Sequence, residues 1–109
     1  MLIISFDNVE LKQSCCDNAV AEAAYGTINA RALFTAIADA EAMENAAELI
    51  DFYGNEVVVQ QDSSLMLSFG SDLIAKLIPV GKKFKRADDG SVNWQTVRHL
   101  KLVQIGNRH

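Results

Sequence analysis

The sequence predicts an α+β fold: an N-terminal strand, a helical hairpin, then an antiparallel β-meander, with the helices packed on one face of the sheet. Three observations carry that expectation. Leu2, Ile4 and Phe6 alternate with Ile3 and Ser5, the pattern of a strand with one buried side. From Val9 to Ala42 alanine and other good helix formers dominate, with few β-branched residues. After Gly54 the apolar residues fall into alternation instead, at Leu65, Leu67 and Phe69 and again near the C-terminal end. With 109 residues, half of them hydrophobic and only one a proline, the chain reads as one domain over 1–109. A domain of this size has one core, and any active site is expected in a surface groove.

Taken in order, Asp7-Asn8 opens the first helix, which runs from Val9 to Tyr25 and stops at Gly26, where a left-handed C-cap is wanted. Thr27 is placed to cap the second helix, in which Ile28, Leu33, Ile37 and Ala40 recur at helical spacing and alanines favour close approach. Asn45 caps a further turn carrying Ala46, Leu49 and Ile50, and Gly54-Asn55 ends it. Val57-Val58-Val59 is a short strand, Gly70-Ser71-Asp72 a hairpin turn, and Leu73 to Val80 the next strand, with Pro79 at its end where a missing donor is tolerated. Gly81 to Asn93 is polar, with Asp89-Gly90 as a turn. The last strand runs from Val97 to Ile105. Leu100 and Leu102 share a face, and the three-residue step to Ile105 calls for a bulge near Val103-Gln104.

The net charge of −4 conceals a dipole. Residues 1–54 set two cations against nine carboxylates, a balance of −7, whereas residues 55–109 set eight cations against five carboxylates, a balance of +3. A basic half can hold polyanion phosphates by releasing their counterions, and an acidic half discourages non-specific binding on its own side. No uncharged apolar run approaches the roughly 18 residues of a membrane span, and Met1 to Phe6 lacks the length and the positive leader of a secretory signal. A soluble, cytoplasmic protein without a membrane partner is expected. Cys15 and Cys16 are adjacent and cannot form an ordinary disulfide with each other, and His99 and His109 stand far from them, so no metal site and no cofactor are expected.

The segment Asp89-Gly90-Ser91-Val92-Asn93-Trp94-Gln95-Thr96-Val97, followed by Leu100, Leu102, Ile105 and His109, resembles the closing segment of killer-type toxins in the RelE/ParE superfamily, the HigB-like branch. Those proteins tend to end in an acidic-Gly turn, an Asp or Asn before Trp, a strand of alternating aliphatics and a closing His. The Met1–Phe6 strand, the Tyr25-Gly26 break, the length and the element order resemble that branch as well. The resemblance implies the toxin of a bacterial type II toxin-antitoxin pair, neutralised by a cognate antitoxin that is often a helix-turn-helix protein. Many such toxins are mRNA interferases that cut mRNA on the ribosome without a metal; others inhibit gyrase. The chain departs from the branch at two basic anchors. Glu56-Val57-Val58-Val59-Gln60-Gln61 stands where a His-Glu-Leu-Lys-like motif is usual, and Ile74-Ala75-Lys76-Leu77 where an Arg-Leu-Ile-Phe-like strand is usual. Lys76 substitutes for that arginine on the same strand face if the register slips by two, although lysine lacks the bidentate fork that fits phosphate.

Metal-free cleavage needs a base for the 2′-hydroxyl, a cation for the phosphorane and an acid for the 5′-oxygen. By this resemblance the candidate catalytic residues are Lys76, Arg108 and His109; beside the α-carboxylate, the His109 imidazole would favour its protonated form. The candidate RNA-binding residues are Lys82, Lys83, Lys85 and Arg86, a cationic run around Phe84 that suits a phosphate backbone and a stacked base, with Arg98, His99 and Lys101 on the closing strand. A charged run of this kind equally describes a solvated loop. Trp94 is expected to anchor its loop on the core. Three functions stay open: a ribosome-associated endoribonuclease, a non-catalytic protein-binding module of the same fold, and a gyrase-directed inhibitor. No Gly-rich phosphate loop or nucleophile elbow points to a metabolic enzyme.

Overall fold

The computed structural model describes residues 1–81 and 84–107. Its elements in chain order are β1 (Ile3–Phe6), α1 (Val9–Cys16), α2 (Asn18–Tyr25), α3 (Thr27–Ala42), α4 (Ala46–Tyr53), β2 (Val57–Val59), β3 (Leu65–Phe69), β4 (Leu73–Pro79) and β5 (His99–Asn107), with short 3-10 turns at Gly54–Glu56 and Trp94–Thr96. The α+β class stands. The strands form one five-stranded sheet in the order β1-β5-β4-β3-β2.

Helix boundaries follow from capping. Asn8 accepts from the Leu11 N–H and Asn45 from the Glu48 N–H, at 2.9 and 3.0 Å, each satisfying a donor that a helix start leaves unpaired. The expected single helix over Val9 to Tyr25 is two helices. Asp17 is extended (φ −119°, ψ 115°); its N–H closes α1 on the Gln13 carbonyl, while its carboxylate accepts from Ala19 and Val20 at the start of α2. Good helix propensity on either side yields here to an aspartate that offers the backbone an alternative partner. Gly26 and Gly54 lie at positive φ between helices and at the end of α4, where the sequence places its breaks.

One expectation about the sheet is corrected. The sheet is mixed: β1 runs parallel to β5, with Ile3 opposite His99 and Phe6 opposite Leu102, whereas β2, β3, β4 and β5 pair antiparallel in succession. Tight turns fix the direction of neighbouring strands in a meander, but β1 meets its partner only at the far end of the chain, so no turn fixes its direction. The last strand also begins at His99, two residues later than expected, and extends to Asn107. The expected bulge is present: Leu77 faces Leu102 and Lys76 faces Gln104, leaving Val103 as the extra residue.

Alternation along the strands makes two unlike faces. Leu65, Leu67 and Phe69 of β3, Leu73, Ala75 and Leu77 of β4, and Leu100 and Leu102 of β5 are buried in one cluster with Leu33, Ala36 and Ala40 of α3. The bulge lets Ile105 rejoin that face opposite Ala75. The other face carries the intervening residues, among them Met66, Ser68, Ile74, Lys76, Ile78 and Lys101, half-buried at most. Asn29 of α3 clasps the β3–β4 turn, its Oδ1 accepting from the Ser71 N–H at 2.9 Å; a Cβ on Gly70 would collide with that amide, and Gly70 sits at φ +64°. Across the opposite end, the segment after β4 packs back: Val92 and Val97 are buried, Trp94 lies against the core as expected, and the Ala46 N–H donates to the Val97 carbonyl at 2.9 Å.

Because Leu100 is fully buried where β5 meets both β1 and β4, Leu100→Ala is expected to lower stability by about 2–5 kcal/mol, whereas Lys101→Ala next to it should cost no more than about 1 kcal/mol, both read by chemical denaturation.

Candidate functional site

The open face of the sheet assembles three of the residues singled out from the sequence. Lys76 lies between buried Ala75 and Leu77, and Lys101 between buried Leu100 and Leu102, so both side chains leave the core on the same side; His99 shares that side with Lys101. In the register Lys76 faces Gln104 and Lys101 faces Ile78, which puts the two lysine Cα atoms roughly 8 Å apart on adjoining strands. Ser5 of β1, opposite Lys101, completes the row.

Each of these groups is already partnered. The Lys76 Nζ stands 3.4 Å from Asp62 Oδ2, and Lys101 Nζ 3.6 Å from Asp7 Oδ1. Asp62 is itself held: its Oδ1 accepts from the Ser64 hydroxyl at 2.6 Å and from the Ser64 N–H at 3.1 Å. Ser64 is only 1% exposed, the single buried polar side chain among the described residues, so the carboxylate is oriented by the core and offers its second oxygen to the lysine. The Ser64 hydroxyl first, then its backbone N–H, then Lys76, hold the Asp62 carboxyl below the usual aspartate range. His99 Nε2 lies 2.8 Å from the Ser5 hydroxyl. Both ion pairs are surface contacts of the kind that add little net stability.

The remaining candidates divide. Arg86 is turned onto its own hairpin: Nη1 donates to the Gly90 carbonyl at 3.0 Å and to the Ser63 hydroxyl at 3.3 Å, and its guanidinium lies 5.7 Å from the Phe84 ring centre. That hairpin closes with Arg86 bridged to Val92 around the Asp89-Gly90 turn, so Arg86 serves structure. Phe84 packs on the core instead of standing free in a solvated loop. Lys85 is exposed, with its N–H donated to Thr96 Oγ1 at 2.8 Å. Arg98 is exposed just before β5. Lys82, Lys83, Arg108 and His109 lie outside the described residues. The sequence reading missed Asp62, Asp7, Ser5 and Ser64; the one local signal was Asp62-Ser63-Ser64, whose spacing suits an Asx turn.

Elsewhere the ionisable groups serve packing. Burial, and then the neighbouring Cys16, push the Cys15 thiol up to about 12, while Cys16 is exposed. Burial and the hydrogen bond to Asp39, 3.0 Å long, raise the Tyr53 phenol to about 12. Among the described residues no group of three or more His, Cys, Asp or Glu side chains is placed to hold a metal ion, and no helix is long and apolar enough to cross a membrane. No family model, no curated protein and no solved structure matches the chain.

Two outcomes follow. Since the folded-state pKa of Asp62 is depressed, the Asp62–Lys76 contact is present above the usual carboxylate range and is lost as pH falls below it; in an NMR titration the Asp62 carboxyl should titrate below ordinary aspartates, and Ser64→Ala should move it upward. With a disulfide reagent near pH 8, the folded protein should release one equivalent, from Cys16, and two once denatured.

Proposed function

We propose that this chain is a toxin-type domain of the RelE/ParE kind, in its HigB-like branch, which engages mRNA at the ribosome through the open face of its sheet and is neutralised by an antitoxin in the cytoplasm. The observation that carries this reading is the convergence of Lys76, His99 and Lys101 from β4 and β5 on one face, turned away from the helices and their carboxylates. A single-stranded backbone laid across β4 and β5 would exchange the Asp62 and Asp7 carboxylates for its phosphates, with release of counterions. Lys76, on the central strand pair, is the cation positioned for charge that develops on a phosphorane, and Arg108 and His109 remain the candidate acid end in this reading.

A second reading has its own observation. The two open-face lysines are each held by a carboxylate, and the residues at 56–61 lack the basic anchor of the family, which favours a protein-binding module that has lost cleavage.

Inducible expression in a bacterium, with and without the neighbouring gene, followed by primer extension on total mRNA, separates the two. The nuclease reading expects growth arrest and new mRNA ends, relieved by the neighbour, and a loss of cleavage of about a hundredfold or more in Lys76→Ala. Normal growth with folded, soluble protein would contradict it and favour the binding module.

A further inference from the structure

Where β4 ends and β1 and β5 begin, the returning segment leaves a hollow of about 470 Å³ against the rim of the sheet, lined by Ile3, Phe84, Gln95, Arg98 and His99 among others. We infer that this hollow is a nucleotide subsite, which takes one unstacked nucleotide of a single-stranded RNA whose backbone continues onto the open face. The inference rests on the RNA-binding reading above and adds to it a base pocket and the residues that form it.

Four properties of the hollow point to that ligand. Its size falls within the range of small-molecule sites. Its walls are apolar at one side, where Ile3 is left 54% exposed on an edge strand and the half-buried Phe84 adds an aromatic side chain to the lining. A base has an apolar face of matching kind and loses stacking on leaving a strand, which an aromatic wall restores. Gln95, exposed on the turn that Asn93 caps, carries a side-chain amide with a donor and an acceptor, the pairing that the edge of a base presents. Arg98, exposed and without a salt-bridge partner among the described residues, brings the forked cation that fits a phosphate.

The hollow is also continuous with the open face. Arg98 precedes His99 at the start of β5, and Lys101 lies two residues further along the same strand. The Arg98 carbonyl accepts from the Ile3 N–H at 2.9 Å, and the Thr96 hydroxyl accepts from Lys85 N–H, so the backbone on both sides of the hollow is fixed before a ligand arrives. His99, which lines the hollow, is followed on the same side of β5 by Lys101, with Lys76 beyond it on β4. Such a path suits a strand of several nucleotides better than a free mononucleotide.

The test titrates the full chain with a labelled single-stranded hexaribonucleotide, a 5′-nucleoside monophosphate and inorganic phosphate, in the wild type and in Gln95→Ala, Arg98→Ala and Ile28→Ala. The first two variants alter exposed side chains, and the third is a control on α3. Expected are hexanucleotide binding by the wild type, a weakening of about 5- to 20-fold in Gln95→Ala and in Arg98→Ala, no change in Ile28→Ala, and weaker displacement by the mononucleotide, with inorganic phosphate weaker still. If the hexanucleotide binds the Gln95 and Arg98 variants as tightly as the wild type, the subsite is overturned and the RNA reading stands. If inorganic phosphate competes as well as the mononucleotide, the hollow holds an anion alone and the base pocket is overturned. If folded wild-type protein binds no RNA, both readings fall together.

Discussion

The structure depends on β5 being held between β1 and β4. It is the one strand with a parallel neighbour on one side and an antiparallel neighbour on the other, and its Leu100 and Leu102 are buried where the helices meet the sheet. Without that insertion β1 would have no partner and β4 would be left as an unpaired edge. The bulge at Val103 is part of the same constraint. It returns Ile105 to the buried side after Leu102 while Gln104 stays outside, so that the strand keeps its apolar residues inward over its full length. Both faces of the sheet, and the direction in which Lys76, His99 and Lys101 emerge, follow from this register.

That register separates charge by face. The helices and their caps carry most of the nine carboxylates of the first half and cover the apolar side; among the described residues, Lys76 and Lys101 of the second half emerge on the open side. Local balance then tempers the open side, because Asp62 and Asp7 each answer a lysine. Exposed pairs of this kind hold lysines in place with little net stabilisation. In the proposed function, a polyanion would displace both carboxylates together.

Much of the fold was legible because its signals are local. Strand alternation at Leu65–Phe69, the caps at Asn8 and Asn45, the glycine breaks at 26 and 54, the turn at Gly70-Ser71 and the bulge at Val103 each depend on a few adjacent residues, and each stands where the sequence puts it. The direction of β1 was not legible, since its partner lies at the other end of the chain, nor was the break at Asp17, where a side-chain cap overrides a helical composition. The site shows the same division. Period-two spacing puts Lys101 and His99 on one side of β5, but nothing local reveals that Ser5 of β1 and Asp7 just after it answer them, or that Ser64 aims Asp62 at Lys76. The role of Arg86 was hidden for a related reason: a cationic run does not disclose that one member is turned back onto its own hairpin.

The claim at the centre of this account is that the open side of the sheet, not the helical side, meets a polyanion. NMR shift mapping during titration with single-stranded RNA tests it most directly. Shifts are expected at Lys76, His99, Lys101 and Gln104, with log K falling against log salt at a slope of roughly −0.7 per phosphate engaged. Shifts confined instead to α3, along the groove from Thr27 to Asp39, would contradict it and assign ligand binding to the helical side.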